Sequence, residues 1–141
     1  MKKYFKYFVL LFLLILPLEV FAVNISYYNQ GLKFFNDKNY NEAKYYFEKD
    51  IVFNTKNEKS YLYLSKISAI NKDNNQQKIY LDTILVLNPK NEEALYLKIL
   101  LNIDEGDFKK AQESNLIFAK VCKELCLKKN DLSKMIIIDK K

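Results

Sequence analysis

The sequence predicts an all-α protein built from helical hairpins that repeat at a fixed period. Apolar residues recur at spacings of three and four over segments of about 12 residues, the periodicity and length of amphipathic helices. Short polar or glycine-containing stretches separate these segments. The segments also align with one another when the chain is shifted by about 34 residues, a period typical of stacked helix–turn–helix arrays.

The N-terminal segment is distinct from this array. Three Lys precede a continuous apolar run at residues 7–16, which Pro17 ends, and Ala22 suits the position read by a signal peptidase. We therefore expect residues 1–22 to be a signal peptide that is removed on export. The alternative is an uncleaved membrane anchor, although the run is shorter than the about 20 apolar residues that a spanning helix needs.

The first helical unit is expected at residues 24–57. It contains two apolar stripes at helical spacing, separated by a polar turn at residues 37–39. The stripes consist of Tyr27, Tyr28, Gly31, Phe34 and Phe35, followed by Ala43, Phe47 and Ile51.

Two further units are expected at residues 58–91 and 92–125, with the same two-stripe pattern. In the second unit a polar break at residues 71–75 separates the helices, and Pro89 ends the second helix. In the third unit the turn contains Gly106. Three stacked units therefore fill residues 23–125.

These units resemble tetratricopeptide repeats, which are 34-residue helix–turn–helix motifs. The residues that carry the resemblance are the early aromatics Tyr27 and Tyr61, the packing glycine Gly31, the pair Ala43 and Phe47, the turn of Gly106 and Phe108 before Ala111, and the closing Pro89. The resemblance implies a stacked α-solenoid. Five positions depart from it. Thr55 and Lys123 stand where the closing proline is expected, and Gln77, Ile99 and Asn115 stand where a small, a small and an apolar residue are expected.

In this family the first helix of each unit lines an inner, concave surface. The residues implied for that surface are Tyr28, Leu32, Phe35, Leu62, Lys66, Tyr96, Leu100 and Ile103. Apolar and aromatic anchors suit an extended or helical segment of another protein, so we expect a partner-binding groove here. The alternative is that these side chains pack against another element of the chain or against a second copy.

Residues 126–141 are expected to form a C-terminal cap or tail. Asn130 or Asp131 would cap a short helix that carries Leu132, Met135, Ile136 and Ile138. Such a helix would cover the last apolar face of the array. The alternative is that residues 135–138 are an exposed binding segment.

Cys122 and Cys126 are the only cysteines. On an intact helix their Cβ atoms would lie about 5–6 Å apart, whereas a disulfide needs about 3.8 Å. An oxidising compartment still favours pairing, so we expect a disulfide that ends the last long helix. The alternative is a small thiol–disulfide protein, although the spacing differs from the Cys-X-X-Cys motif of thiol oxidoreductases.

The composition argues against catalysis and against nucleic-acid binding. The chain has no His, which removes the usual near-neutral base and the commonest metal ligand, and its two Gly cannot form a glycine-rich phosphate loop. All 23 basic residues are Lys, whereas Arg is favoured for bidentate recognition of phosphate and guanine. We expect no enzyme activity, no cofactor, no metal site and no nucleic-acid partner.

The sequence thus predicts a secreted or periplasmic protein-binding module of a bacterial envelope. It would act as a non-catalytic scaffold or assembly factor whose partner is another protein or a peptide segment. The alternatives are an accessory subunit held on the membrane by an uncleaved N-terminal helix, and the thiol–disulfide protein. The oligomeric state is left open.

Overall fold

A computed structural model describes residues 26–138 and confirms the all-α prediction, with helices and no strand in that range. The helices are α1 Tyr27–Asn36, α2 Tyr40–Phe53, α3 Glu58–Ile70, α4 Asn74–Leu87, α5 Glu92–Asp104, α6 Phe108–Val121 and α7 Lys129–Ile138, with a 3-10 turn at Cys126–Lys128. The predicted signal peptide lies outside the described residues. Within those residues no helix has the length and apolar character needed to cross a membrane.

The helices pack in consecutive pairs. α1 packs on α2, α3 on α4 and α5 on α6, and each pair stacks on the next through the α2–α3 and α4–α5 contacts. The apolar side chains form three core clusters along this stack. A single hairpin cannot bury its apolar face alone, and this stacking supplies the missing surface.

The ends of the helices are set by side-chain caps. Each of the first six helices follows an N-cap residue whose side-chain oxygen accepts a hydrogen bond from a backbone N–H two or three residues later. These residues are Ser26, Asn39, Asn57, Asp73, Asn91 and Asp107. The expectation that Asn130 or Asp131 caps the last helix was wrong. The 3-10 turn leads directly into α7, whose first residue, Lys129, already has helical angles.

The turn inside each hairpin has the same backbone in all three units. Each turn contains one residue in a left-handed conformation. These residues are Lys38 (φ 59°), Lys72 (φ 58°) and Gly106 (φ 74°), and they lie one period apart. In the first unit the N–H of Asn39 donates to the carbonyl of Phe34 at 2.9 Å, and the other two units repeat this bond. The hydrogen bonds therefore hold the turn even where Lys replaces the favoured glycine.

The two helices of the first unit pack tightly at Gly31. A Cβ atom there would lie 2.6 Å from the ring of Phe47. The residue equivalent to Gly31 is larger in each following unit, first Ser65 and then Ile99. The residue equivalent to Phe47 is smaller in each following unit, first Leu81 and then Asn115. Two of the sequence departures therefore compensate each other in volume. The equivalent buried pairs are Ser65 with Leu81 and Ile99 with Asn115.

The C-terminal helix covers the third unit, as predicted. Leu132 and Ile136 of α7 are buried in the same cluster as Leu95, Ile99 and Phe118. The neighbouring residues Met135 and Ile137 are 39% and 63% exposed. One face of α7 therefore belongs to the core of the array, and the opposite face is open to solvent.

Candidate functional site

The predicted groove residues lie on the first helices of the three units, α1, α3 and α5. Seven of the eight are half-buried, so each rests on the core and keeps part of its surface open. Leu62 is the exception. It is only 8% exposed and packs with Ala94 and Leu101 in the cluster between the second and third units. It is therefore a core residue whose surface contributes little to a partner.

The groove end formed by the first unit is aromatic. The ring centroid of Tyr63 lies 6.2 Å from that of Tyr28, 4.9 Å from that of Phe35 and 5.0 Å from that of Phe47. Sequence reasoning missed Tyr63, which follows a groove position by one residue and faces the neighbouring unit. Burial raises the pKa of the Tyr28 hydroxyl further above neutral pH, where the protonated hydroxyl can donate a hydrogen bond.

The middle of the groove carries an ion pair between two units. Lys66 Nζ on α3 lies 2.7 Å from Glu93 Oε1 on α5 and 4.9 Å from the ring centroid of Tyr63. The two side chains are 31% and 43% exposed, so solvent screens the pair and it adds little stability. The pair instead places one positive and one negative group at defined positions along the groove. Sequence reasoning named Lys66 but missed Glu93.

The groove end formed by the third unit is apolar. Tyr96, Leu100 and Ile103 pack on the cluster that contains Phe118, and the ring centroids of Tyr96 and Phe118 lie 6.4 Å apart. All three side chains remain half-buried. Aromatic and aliphatic residues with this exposure are typical of anchor sites for another protein.

Two clefts open beside the N-terminal ends of α3 and α5. They enclose about 450 and 510 Å³, and they share Asn91 and Glu93. The smaller, the lysine cleft, is lined by Lys56, Asn57, Glu58, Lys59, Leu62, Asn91 and Glu93. The larger, the glutamate cleft, is lined by Asn91, Glu92, Glu93, Tyr96, Leu97, Glu124 and Leu125.

Carboxylates hold the connections that follow the second and third units. Glu58 accepts hydrogen bonds from the side-chain amides of Asn88 at 3.0 Å and Asn91 at 2.8 Å. One period later, Glu92 accepts from the backbone N–H groups of residues 123, 124 and 125, at 2.6, 3.1 and 3.5 Å. The N–H of Lys123, together with the other two, lowers the pKa of the Glu92 carboxyl. These bonds fix the cleft walls in place.

The connection after the first unit uses a different carboxylate. Asp50, at 3% exposure, accepts from Asn54 Nδ2 at 3.1 Å, Asn57 Nδ2 at 2.6 Å and Ser60 Oγ at 2.6 Å. A buried carboxylate is tolerated when such donors satisfy its oxygens. Asp50 therefore has a structural role, because its hydrogen bonds order the turn between α2 and α3.

Cys122 and Cys126 are bonded to each other. α6 ends at Val121, so the chain leaves the helix before the second cysteine and the Cα atoms come within 5.2 Å. The helix break removes the distance problem that an intact helix would pose. The disulfide closes the loop whose N–H groups bind Glu92.

Among residues 26–138, no three His, Cys, Asp or Glu side chains lie where they could jointly hold a metal ion.

Comparison with known proteins supports the architecture. A chain in the solved structure of the "CopN-Scc3 complex" superimposes with a TM-score of 0.65 and 16% sequence identity, over 89% of this chain and 81% of that chain. A scan against protein-family models found no match. A search of curated proteins also found no match. The helix pairs and the structural likeness define the class as an all-α helical repeat with a tetratricopeptide-like fold.

Proposed function

We propose that the protein binds a segment of another protein in its inner groove and acts as a non-catalytic scaffold or assembly factor. The observation that carries this proposal is the row of half-buried aromatic and aliphatic side chains on α1, α3 and α5. Aromatic and aliphatic side chains that stay partly open to solvent along one surface are typical of an interaction surface. The similar chain was solved within the CopN-Scc3 complex, which supports a protein partner.

We also propose that the protein is exported and acts in the periplasm or cell envelope. The signal pattern of residues 1–22 motivates this, and the disulfide supports it because disulfides persist in oxidising compartments. Intact-mass measurement of the protein from the native envelope fraction tests the proposal, and a chain that begins at Val23 is expected. A membrane-bound chain that retains Met1 would favour the anchored accessory subunit.

The binding proposal is tested by separating affinity from stability. Partners captured from the envelope fraction are first identified by mass spectrometry, and one is then titrated against variants. Tyr28→Ala and Tyr96→Ala should each weaken binding by about 30-fold, or about 2 kcal/mol, with most stability retained. Phe47→Ala is the core control, because truncating a fully buried aromatic should lower the free energy of unfolding by about 3–5 kcal/mol.

Two results would count against the groove. If both Tyr variants unfold as readily as the Phe47 control, their rings are core and the groove is misplaced. If both stay folded and bind the partner with unchanged affinity, another surface is used. Residues 135–138 on α7 are then the next region to vary, since Met135 and Ile137 are exposed.

The thiol–disulfide alternative has one observation in its favour, the exposure of Cys126. A reductant or a substrate thiol can reach an exposed sulfur, which exchange chemistry requires. Replacing both cysteines by Ser separates the two functions. We expect partner affinity to survive this change, whereas a thiol–disulfide protein would lose its activity.

A further inference from the structure

We propose that the groove selects a partner segment with an acidic end and a basic end, joined by apolar side chains. This inference rests on the proposed function and adds the chemistry of the partner. It comes from the different charges of the lysine cleft and the glutamate cleft, which lie side by side because they share Asn91 and Glu93.

The lysine cleft favours an acidic group. Lys56 and Lys59 are exposed, and neither takes part in the ion pairs found among the described residues. Two carboxylates also line this cleft, but both have partners, because Glu58 accepts two Asn side-chain amides and Glu93 pairs with Lys66. The N-terminal end of α3 also lines this cleft, and the helix dipole makes that end positive. A carboxylate of the partner would meet two ammonium groups here that lie outside those ion pairs.

The glutamate cleft favours a basic group. It is lined by three Glu and by no Lys. Glu92 is held by three backbone N–H groups and Glu93 is paired with Lys66, whereas Glu124 is exposed and outside the ion pairs found among residues 26–138. A Lys or Arg of the partner would therefore find an available carboxylate at Glu124.

The apolar part of the segment would lie between the charged ends. Tyr96, Leu97 and Leu125 line the glutamate cleft, are half-buried and have no polar side-chain atom apart from the Tyr hydroxyl. Because the clefts share Asn91 and Glu93, their centres are about one helix diameter apart, about 10–12 Å. An extended segment rises about 3.3 Å per residue, so about three or four residues would connect the two clefts. A uniformly acidic or basic segment would meet like charge in one of them.

The probe for this inference is a random peptide library, about 12 residues long to exceed that span, displayed on phage and selected on the purified protein. Enriched peptides are synthesised with a fluorophore, and their affinity is measured by anisotropy. We expect Asp or Glu at one end, Lys or Arg at the other, and apolar residues between. For such peptides the double variant Lys56→Glu/Lys59→Glu should weaken binding at least about 10-fold, and selection on that variant should enrich peptides that are basic at both ends.

Matched controls separate local charge from net charge. Lys38→Glu/Lys109→Glu changes the net charge equally at two exposed positions outside the clefts and should leave affinity within about two-fold. Glu124→Lys should reverse the preference at the other end and enrich peptides acidic at both ends. Peptides that depend on Tyr96 but show no separation of charge would overturn this inference and leave the proposed function standing. A parallel selection uses the double variant Tyr28→Ala/Tyr96→Ala as its target. If the unchanged protein enriches no peptide beyond those that this variant enriches, both proposals fail.

Discussion

The first and third units share a backbone and differ in what fills it. At two equivalent positions the first unit has the half-buried Phe34 and the buried Phe47, whereas the third unit has Asn102 and Asn115, both buried. Asn102 is 1% exposed, and neither atom of its amide has a hydrogen-bond partner among the described residues. Asn115 donates to Ser133 of α7 at 3.1 Å, but its carbonyl oxygen has no partner in the same range. The third unit therefore contains buried amides where the first contains aromatic rings.

The first and third units also differ at the two ends of the array, where neither has a further unit to pack on within residues 26–138. On the first unit Tyr27 stacks on Phe53 at 5.5 Å and Phe34 on Tyr46 at 5.3 Å, so its rings pack on one another. On the third unit α7 covers the face, and the disulfide and the bonds to Glu92 hold the connection that leads to it. We therefore expect the third unit, whose interior contains amide atoms without partners in the described range, to depend on these added elements for its stability.

The largest expected effect is at the α7 contact. Leu132 is 1% exposed, and Leu132→Ala should lower the free energy of unfolding by about 2–5 kcal/mol, because it removes a buried side chain and leaves a cavity. Leu127→Ala is the matched control, since Leu127 is 89% exposed and should change stability by less than about 0.5 kcal/mol. Chemical denaturation measures both. Equal, small effects would show that α7 does not support the third unit.

The volume exchange between Gly31 and Phe47 gives the next effect. Gly31→Ser should destabilise the protein by about 1–3 kcal/mol, because a side-chain atom would meet the Phe47 ring. In a Phe47→Leu background Gly31→Ser should cost at least about 0.5 kcal/mol less, because the double variant has the Ser and Leu pair of the second unit. A double-mutant cycle by denaturation measures this coupling. Strict additivity would mean that the two positions do not share space.

The buried amide of Asn102 predicts a change in the opposite direction. Asn102→Leu has a similar size and removes two unsatisfied polar atoms, so it should raise the free energy of unfolding by about 1–3 kcal/mol. Asn130→Leu, at an exposed position of α7, is the control and should have little effect. A destabilised Asn102→Leu variant would indicate that the amide serves an interaction that the isolated chain does not make.

The smallest effect concerns pH. Backbone N–H groups lower the pKa of Glu92 in the folded state, so the carboxylate stabilises the fold above its unfolded pKa, and this contribution is lost as the pH falls through the folded pKa. Glu92→Gln should lower the thermal midpoint at neutral pH, and the gap to the unchanged protein should narrow as the solution is acidified through that range. A gap that is constant with pH would exclude a role for the ionised carboxylate.

The fold could be predicted from sequence because each hairpin is made by local periodicity and caps, and the 34-residue period carries those signals three times. The residues that fill the interior of the third unit could not be predicted in this way. Asn115 and Ile99 look like departures until the Gly31–Phe47 contact shows that the two positions share one volume. The start of α7 was missed because a 3-10 turn, which leaves no clear sequence signal, replaces a side-chain cap.

Only some of the residues on the inner surface could be named from the sequence. Its residues on α1, α3 and α5 follow from the family resemblance, which fixes positions within one unit. Tyr63 and Glu93 were missed because their places depend on the packing of one unit against the next. Leu62 was misjudged as open because the depth of the α3–α5 contact is not encoded in the spacing of apolar residues.

The central claim, that the inner groove holds another protein, is tested most directly by site-specific photo-crosslinking in living cells. A benzoylphenylalanine replaces Leu100 in the groove in one strain, and Val86 on α4, which is 81% exposed and outside the groove, in another. Irradiation followed by mass spectrometry identifies the adducts. A defined protein adduct from position 100 and none from position 86 is the predicted result. An adduct from position 86 alone would contradict the claim.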